Sequence, residues 1–149
     1  MWCYFTAPLR AGECCKDCKR SEINTGMKLL EVITDDEIEQ FKQAFHMFMN
    51  SKLRNQWLGG DVIQVYMRKG IHVIGRQAFK TLDIANIQID ESERGKGVGM
   101  RLIDWLHEQN PFEVTYVESL QNLRLYASLK QRGWIDVPNS QPPSVYKTK

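Results

Sequence analysis

The chain has no apolar run approaching the roughly 18 residues that a membrane span needs, and the segment before Gly26 is broken by charges and cysteines where a signal peptide would hold an apolar region. These absences predict a soluble, cytoplasmic protein with no membrane partner. Charge of one sign is equally scarce. Twenty Lys and Arg face 18 Asp and Glu, for a net charge of +2, and the densest basic cluster, Lys16, Lys19 and Arg20, is small. Nucleic-acid binding, which leaves a strong and clustered basic excess, is not expected. Cysteine is missing after Cys18. All four cysteines (Cys3, Cys14, Cys15 and Cys18) crowd near the start, whereas a disulfide framework would span a domain. Cys15-x-x-Cys18 with its neighbours would supply zinc ligands, but a structural site normally shows two well-spaced pairs, so no metal is expected. His46, His72 and His107 are scattered without ligand spacing, and no internal repeat is visible.

What is present suits one compact unit, since 149 residues at 42% hydrophobic content bury a single core. Residues 1–26 differ in composition and read as a Cys-rich N-terminal extension, with the main domain over residues 27–149. Lys28 to Ile33 predicts a short strand, and Thr34 followed by Glu37 is a capping box that opens a helix. Ile38, Phe41, Phe45, Phe48 and Met49 recur at helical spacing as a core stripe, which Leu53 and Trp57 would continue until Gly59-Gly60 ends the helical region. Two strand-like runs come next, Asp61–Met67 and His72–Phe79, with Arg68-Lys69-Gly70 as the turn between them. A third covers Thr81–Asp90. Val98, Leu102, Ile103 and Leu106 then mark a helix stopped by Asn110-Pro111. Beyond it come a strand at Glu113–Ser119, a helix at Asn122–Gln131 and short strands at Trp134–Val137 and Ser144–Lys147.

Within Thr81–Asp90 the alternation slips. Leu82 and Ile84 share one parity, Ile87 and Ile89 the other. An extra residue near Ala85-Asn86, a β-bulge, would restore all four to one face; a central strand buried on both faces would also allow the slip. Both readings stand at this point.

The most specific feature lies directly after that strand. Arg94, Gly95, Lys96, Gly97, Val98 and Gly99 form a glycine-rich basic turn leading into an amphipathic helix. Glycines let the backbone approach a ligand, and the first N–H groups of a helix have no partner within it, which together make an anion cradle. The spacing is neither G-x-G-x-x-G nor the eight-residue phosphate loop ending in Gly-Lys-Ser/Thr. It is Arg94-x-x-Gly97-x-Gly99, preceded by Ile87-x-Ile89-Asp90. This resembles the acetyl-CoA signature of the Gcn5-related N-acetyltransferases (GNAT), and the segment from Val117 through Asn122 to Gly133-Trp134 resembles that family's next strand, Asn-led helix and closing Gly-aromatic pair. The resemblance covers roughly residues 28–137 in element order.

It implies a mixed α+β (α/β) single domain, with a central, mostly antiparallel sheet, a splayed and bulged fourth strand and flanking helices. It further implies acetyl-CoA as cosubstrate. Ile87 and Ile89 would lend backbone groups to pantetheine, the Arg94–Gly99 turn, Val98 included, would wrap the pyrophosphate, and Asn122 would reach toward the CoA arm, although a simple capping role fits Asn122 equally well. The activity implied is acetyl transfer to a primary amine by direct attack in a ternary complex. One departure stands out: the family's usual acid, a Tyr four residues before the closing Gly, is Leu129 here. Tyr126, three residues earlier on a similar helix face, is the candidate substitute, and Glu118, or less strongly Asp83, the candidate base. Asp90, Glu91 and Glu93 read as surface charges. The acceptor is not specified, and a homodimer has room to form. A GNAT-fold protein that acts only by binding a partner is the rival reading, with Leu129 as its support.

Overall fold

The computed structural model describes residues 35–149. The Cys-rich extension, the strand expected over residues 28–33 and Thr34 of the capping box lie outside them. The first helix, α1, spans Asp35–Asn50. Its stripe behaves as expected: Phe45 and Phe48 are buried, and Phe41 and Phe45 meet Trp105 edge-on at 5.9 and 5.4 Å between ring centroids. The stripe does not continue to Leu53 and Trp57. Leu53 is exposed, and Trp57 sits in a strand, β1 (Asn55–Gly59), pairing with Tyr66. The reason is a cation from elsewhere in the fold: Lys69 donates to the carbonyls of Met49 at 3.2 Å and Ser51 at 2.7 Å, closing the helix end. Gly59 is therefore a strand end, not a helix stop.

β2 (Ile63–Ile74) and β3 (Gln77–Ile89) form one long antiparallel hairpin. Its turn is Gly75-Arg76, led by a glycine at φ 65°, and not Arg68-Lys69-Gly70, which lies mid-strand. Gly70 mimics a turn residue for a packing reason, since a Cβ there would overlap the carboxylate of Asp83 and lie 2.9 Å from Thr81 Oγ1. The bulge is present. Tyr66 pairs with Asn86 while Met67 pairs with Ile84, so Ala85 is the extra residue.

Helix α2 (Val98–Gln109) buries Val98, Met100, Leu102, Ile103 and Leu106 and ends where the Asn110 side chain bonds Phe112 N–H, Val114 C=O and Thr115 Oγ1. β4 (Val114–Val117), α3 (Leu123–Gln131), β5 (Ile135–Asp136) and β6 (Val145–Thr148) complete the chain. The sheet order is β1-β2-β3-β4-β6-β5, antiparallel throughout except between β3 and β4. This is the mixed α+β, mostly antiparallel architecture expected, with the bulged strand third among the described residues. The core lies between the helices and the sheet face carrying Val65, Met67, Leu82, Ile84, Val117 and Val145. No helix of the described residues is long and apolar enough to cross a membrane.

Candidate active-site cleft

The site begins where two parallel strands part. β3 and β4 pair only from Thr81/Val114 to Ile84/Val117, and Glu118 N–H gives a last bond to Ile84 C=O at 3.0 Å. Beyond it β3 stays with β2 as far as Ile89, while the chain after β4 swings off through Ser119 at φ 48°, with Leu120 N–H bonding Pro143 C=O. Residues 85–89 thus have a sheet edge with no strand of the described residues beside it. The opening is a cleft of about 320 Å³ between Ile84–Ile87 and the Val117–Asn122 segment. It leads into a second, wider hollow of about 730 Å³ that runs along Ile87–Ile89 to the glycine turn, with Asn122, Arg124 and Leu125 on its far wall. The two share Ile87, Asn122 and Leu125.

At its end the turn is built by local bonds. The Asp90 carboxylate accepts from the Ser92 hydroxyl at 2.5 Å and N–H at 3.0 Å, nucleating a 3-10 turn over Glu91–Glu93. Those bonds, the hydroxyl first, hold the Asp90 carboxyl below its ordinary range. Gly95 and Gly97 have φ of 79° and 75°, and nothing lies within 4 Å of where their Cβ atoms would be. Gly97 is the N-cap of α2 and offers no side chain to cap it, so the helix's first N–H groups keep no side-chain partner there. Arg94 Nε bonds Ile89 C=O at 2.9 Å, and Arg94 and Lys96 face Glu91 at 3.6 Å and Glu93 at 3.1 Å. Glu93 is more than a surface charge, because its side chain is 13% exposed and lines the hollow. The acidic residues before the turn hold its cations in place.

The candidate site residues fall into groups. Ile87, Ile89, Arg94, Gly95, Gly97, Val98, Gly99 and Asn122 line the one hollow, and Lys96 flanks it through Glu93. Asn122 Oδ1 accepts from Arg124 N–H at 3.0 Å and Leu125 N–H at 3.1 Å, so it caps α3 while facing the cleft. Glu118 lines the upper cleft, its carboxylate ion-paired with Arg68. Tyr126 does not line either opening; its hydroxyl donates to Asp136 Oδ1 at 2.8 Å, and that bond pushes its pKa up. Leu129, where the sequence resemblance expects a tyrosine, is completely buried in the core.

Asp83 reveals what the sequence left unseen. It is buried, and its carboxylate accepts from Thr81 Oγ1 at 2.6 Å and meets His72 Nε2 at 3.0 Å. A ring nitrogen of His72 and carboxylate oxygens of Asp83 and Glu118 lie within 4.8 Å of one another. The signal was present as alternation: Arg68, Gly70 and His72 stand on one parity of β2, opposite Asp83, Thr81 and Phe79. Placing the turn at Gly70 hid it.

No protein-family model matches the chain, and no curated protein matches it either. Among solved structures it is similar to a mutant of the AtaT toxin bound to the C-terminus of the antitoxin AtaR and acetyl-CoA, at 12% identity and TM-score 0.46 over 58% of this chain; the match spans 58% of that protein's length. It is similar to the KacTA–DNA complex at 16% identity and TM-score 0.47, covering 77% of this chain and 80% of that one. A third likeness is to histone acetyltransferase HPA2 and related acetyltransferase from Corynebacterium glutamicum, at 14% identity and TM-score 0.45 over 76% of each chain. At such identities the likeness concerns the fold alone.

Proposed function

We propose that this chain is a GNAT-type N-acetyltransferase, which binds acetyl-CoA in the cleft and passes the acetyl group to a primary amine by direct attack in a ternary complex. The observation that carries this reading is the continuity of an unpaired β3 edge, a bulge and an uncapped, glycine-opened helix N-terminus along one cleft. The edge at Ile87 and Ile89, which no strand of the described residues covers and where Arg94 Nε holds the Ile89 carbonyl, suits the amide-bearing pantetheine arm, as in strand addition. The Arg94–Gly99 turn suits the pyrophosphate, with N–H groups, helix dipole and two cations acting together, because the dipole alone contributes only about 0.3–1 kcal/mol to an anion. In this reading backbone groups at the Ala85–Ile87 bulge polarise the thioester carbonyl. A lysine-like amine of pKa near 10.4 costs about 4.6 kcal/mol to deprotonate at pH 7, and this reading gives that proton to Glu118, which lines the cleft. Tyr126, engaged with Asp136, is not required as an acid, since a CoA thiolate leaves readily.

Calorimetry with acetyl-CoA tests the cofactor half. One-to-one binding that weakens several-fold in Arg94→Ala is expected, and no binding at millimolar concentration would overturn the proposal. Release of free CoA thiol with spermidine, tyramine and L-lysine tests transfer. One observation favours the rival, a GNAT-fold binding module: Leu129 is sealed in the core and Tyr126, the candidate substitute acid, is bonded to Asp136. Binding of acetyl-CoA without turnover of any amine would favour it.

A further inference from the structure

The polar face of the sheet holds a network that the cofactor has no use for. Gly70 and His72 of β2, Thr81 and Asp83 of β3, and Tyr116 of β4 with Glu118 just past its end alternate with the residues that face the core. Asp83 is 3% exposed, and a carboxylate taken out of water is costly unless its oxygens are bonded. Both oxygens are: Thr81 Oγ1 donates to Oδ1, and His72 Nε2 meets Oδ2. The close fit depends on Gly70, a residue that weakens a strand interior. The His72 ring is also clamped flat on Tyr116, with centroids 4.0 Å and planes 4° apart. Its orientation is therefore set from two sides. Glu118 joins this group to the cleft, since its carboxylate lies within 4.8 Å of the His72 and Asp83 ligating atoms and lines the opening where β3 and β4 part.

Building on the acetyltransferase reading, we propose that His72 and Asp83 form a proton relay that acts on the acceptor amine through Glu118. Glu118 takes one proton from the bound ammonium, displacing Arg68 from its carboxylate, and a bridging water carries that proton on to His72, the two groups lying within 4.8 Å of each other. The amine nitrogen, now holding a lone pair, forms its bond to the thioester carbonyl carbon. The C–S bond breaks and its electron pair leaves on sulfur. A second N–H proton goes from the adduct to that sulfur, giving amide and CoA thiol. The first proton rests on His72 as an imidazolium paired with Asp83 and leaves to solvent from the ring's exposed edge. Among the described residues the charged and titratable groups around His72 are Asp83 from β3, Tyr116 from β4, Glu118 just past the end of β4 and, paired with Glu118, Arg68 of β2. Burial, with Glu118 and Asp83 nearby, pushes the Tyr116 hydroxyl up, so it stays neutral beside the ring. Glu118 is the catalytic residue in this scheme, and His72 and Asp83 are positioning residues.

The test uses the full chain, acetyl-CoA and the same three amines. In His72→Gln and Asp83→Asn, kcat/KM should fall by ~10²–10⁴ and the acid limb of its pH profile should move, while acetyl-CoA affinity is unchanged. An acid limb identical to the parent's in His72→Gln overturns the relay and leaves the acetyltransferase reading intact; loss of acetyl-CoA binding by the parent overturns both. Imidazole ¹⁵N NMR of the acetyl-CoA-bound parent needs neither a folded variant nor a turned-over amine. The Nε2–H tautomer of His72 is expected, leaving Nδ1 to accept. A dominant Nδ1–H tautomer, or one equivalent of added Zn²⁺ captured at His72, Asp83 and Glu118, overturns the relay, the latter in favour of a metal site.

Discussion

Leu129 shows how one side chain is decided by its surroundings. It is fully buried in the same core cluster as Leu106 and Trp134, and its side chain lines neither opening of the cleft. Restoring the usual residue should therefore fail. Leu129→Tyr adds a ring and a hydroxyl to a packed interior, and we expect it to lower stability by about 1–3 kcal/mol with no gain in acetyl transfer. Urea unfolding and thiol release check the two halves, and a more active variant of unchanged stability would contradict the packing argument. Gly70 makes the same point from the other side. It reads as a turn in sequence because glycine usually marks a break, whereas its role is to leave room for Asp83.

At the scale of elements, the β3 bulge joins fold and site. Ala85 lets Leu82 and Ile84 face the core and then shifts the register so that Ile87 and Ile89 pack against the same core. Deleting Ala85 would restore strict alternation, leaving Ile87 and Ile89 on the core face but removing the bend and the unpaired backbone groups of the bulge where β3 parts from β4. We expect the deletion variant to lose acetyl-CoA binding by calorimetry even where circular dichroism shows retained helix; binding of parental strength would remove the bulge from the site. The slip in parity announced this bulge, although a doubly buried strand explained it equally well until pairing with β2 was seen. β1 and the Gly75-Arg76 turn were not legible. A five-residue strand following a helix has too few alternating positions to register, and the charge on Lys69 hid a mid-strand residue whose ammonium closes α1. Burial holds the Lys69 pKa below its ordinary value, in keeping with that inward placement.

For the molecule as a whole, acid sensitivity arises from His107. Burial first, then the ammonium groups of Lys147 and Lys149, hold its imidazole below the ordinary value of about 6.5, while its Nδ1 lies 2.8 Å from Thr115 Oγ1. The unfolded chain takes up this proton at higher pH than the folded one. The resulting stability is fully present above about pH 6.5 and is lost progressively as pH falls toward the depressed folded value. The thermal midpoint should drop on acidification through that window, and more steeply in the parent than in His107→Gln. Equal slopes would remove His107 as the cause. Acetyl-CoA should raise the midpoint in turn, with a gain of ~2.7 kcal/mol at a hundredfold excess over Kd.

Local pattern was enough for the elements that have long periodic faces and for the turn whose glycines lie close in sequence: α2, α3, most of α1 and the Arg94–Gly99 turn are all short-range chemistry. The cleft itself was not of that kind. It exists because β3 and β4 separate after Ile84 and Val117, and that depends on where two distant strands stop pairing. The His72–Asp83–Glu118 group likewise joins three strands across a hairpin whose turn had to be placed before the residues could meet. Periodicity reports which face of its own element a residue occupies; only the packed sheet brings faces of different strands together, and the proposed proton path depends on that meeting.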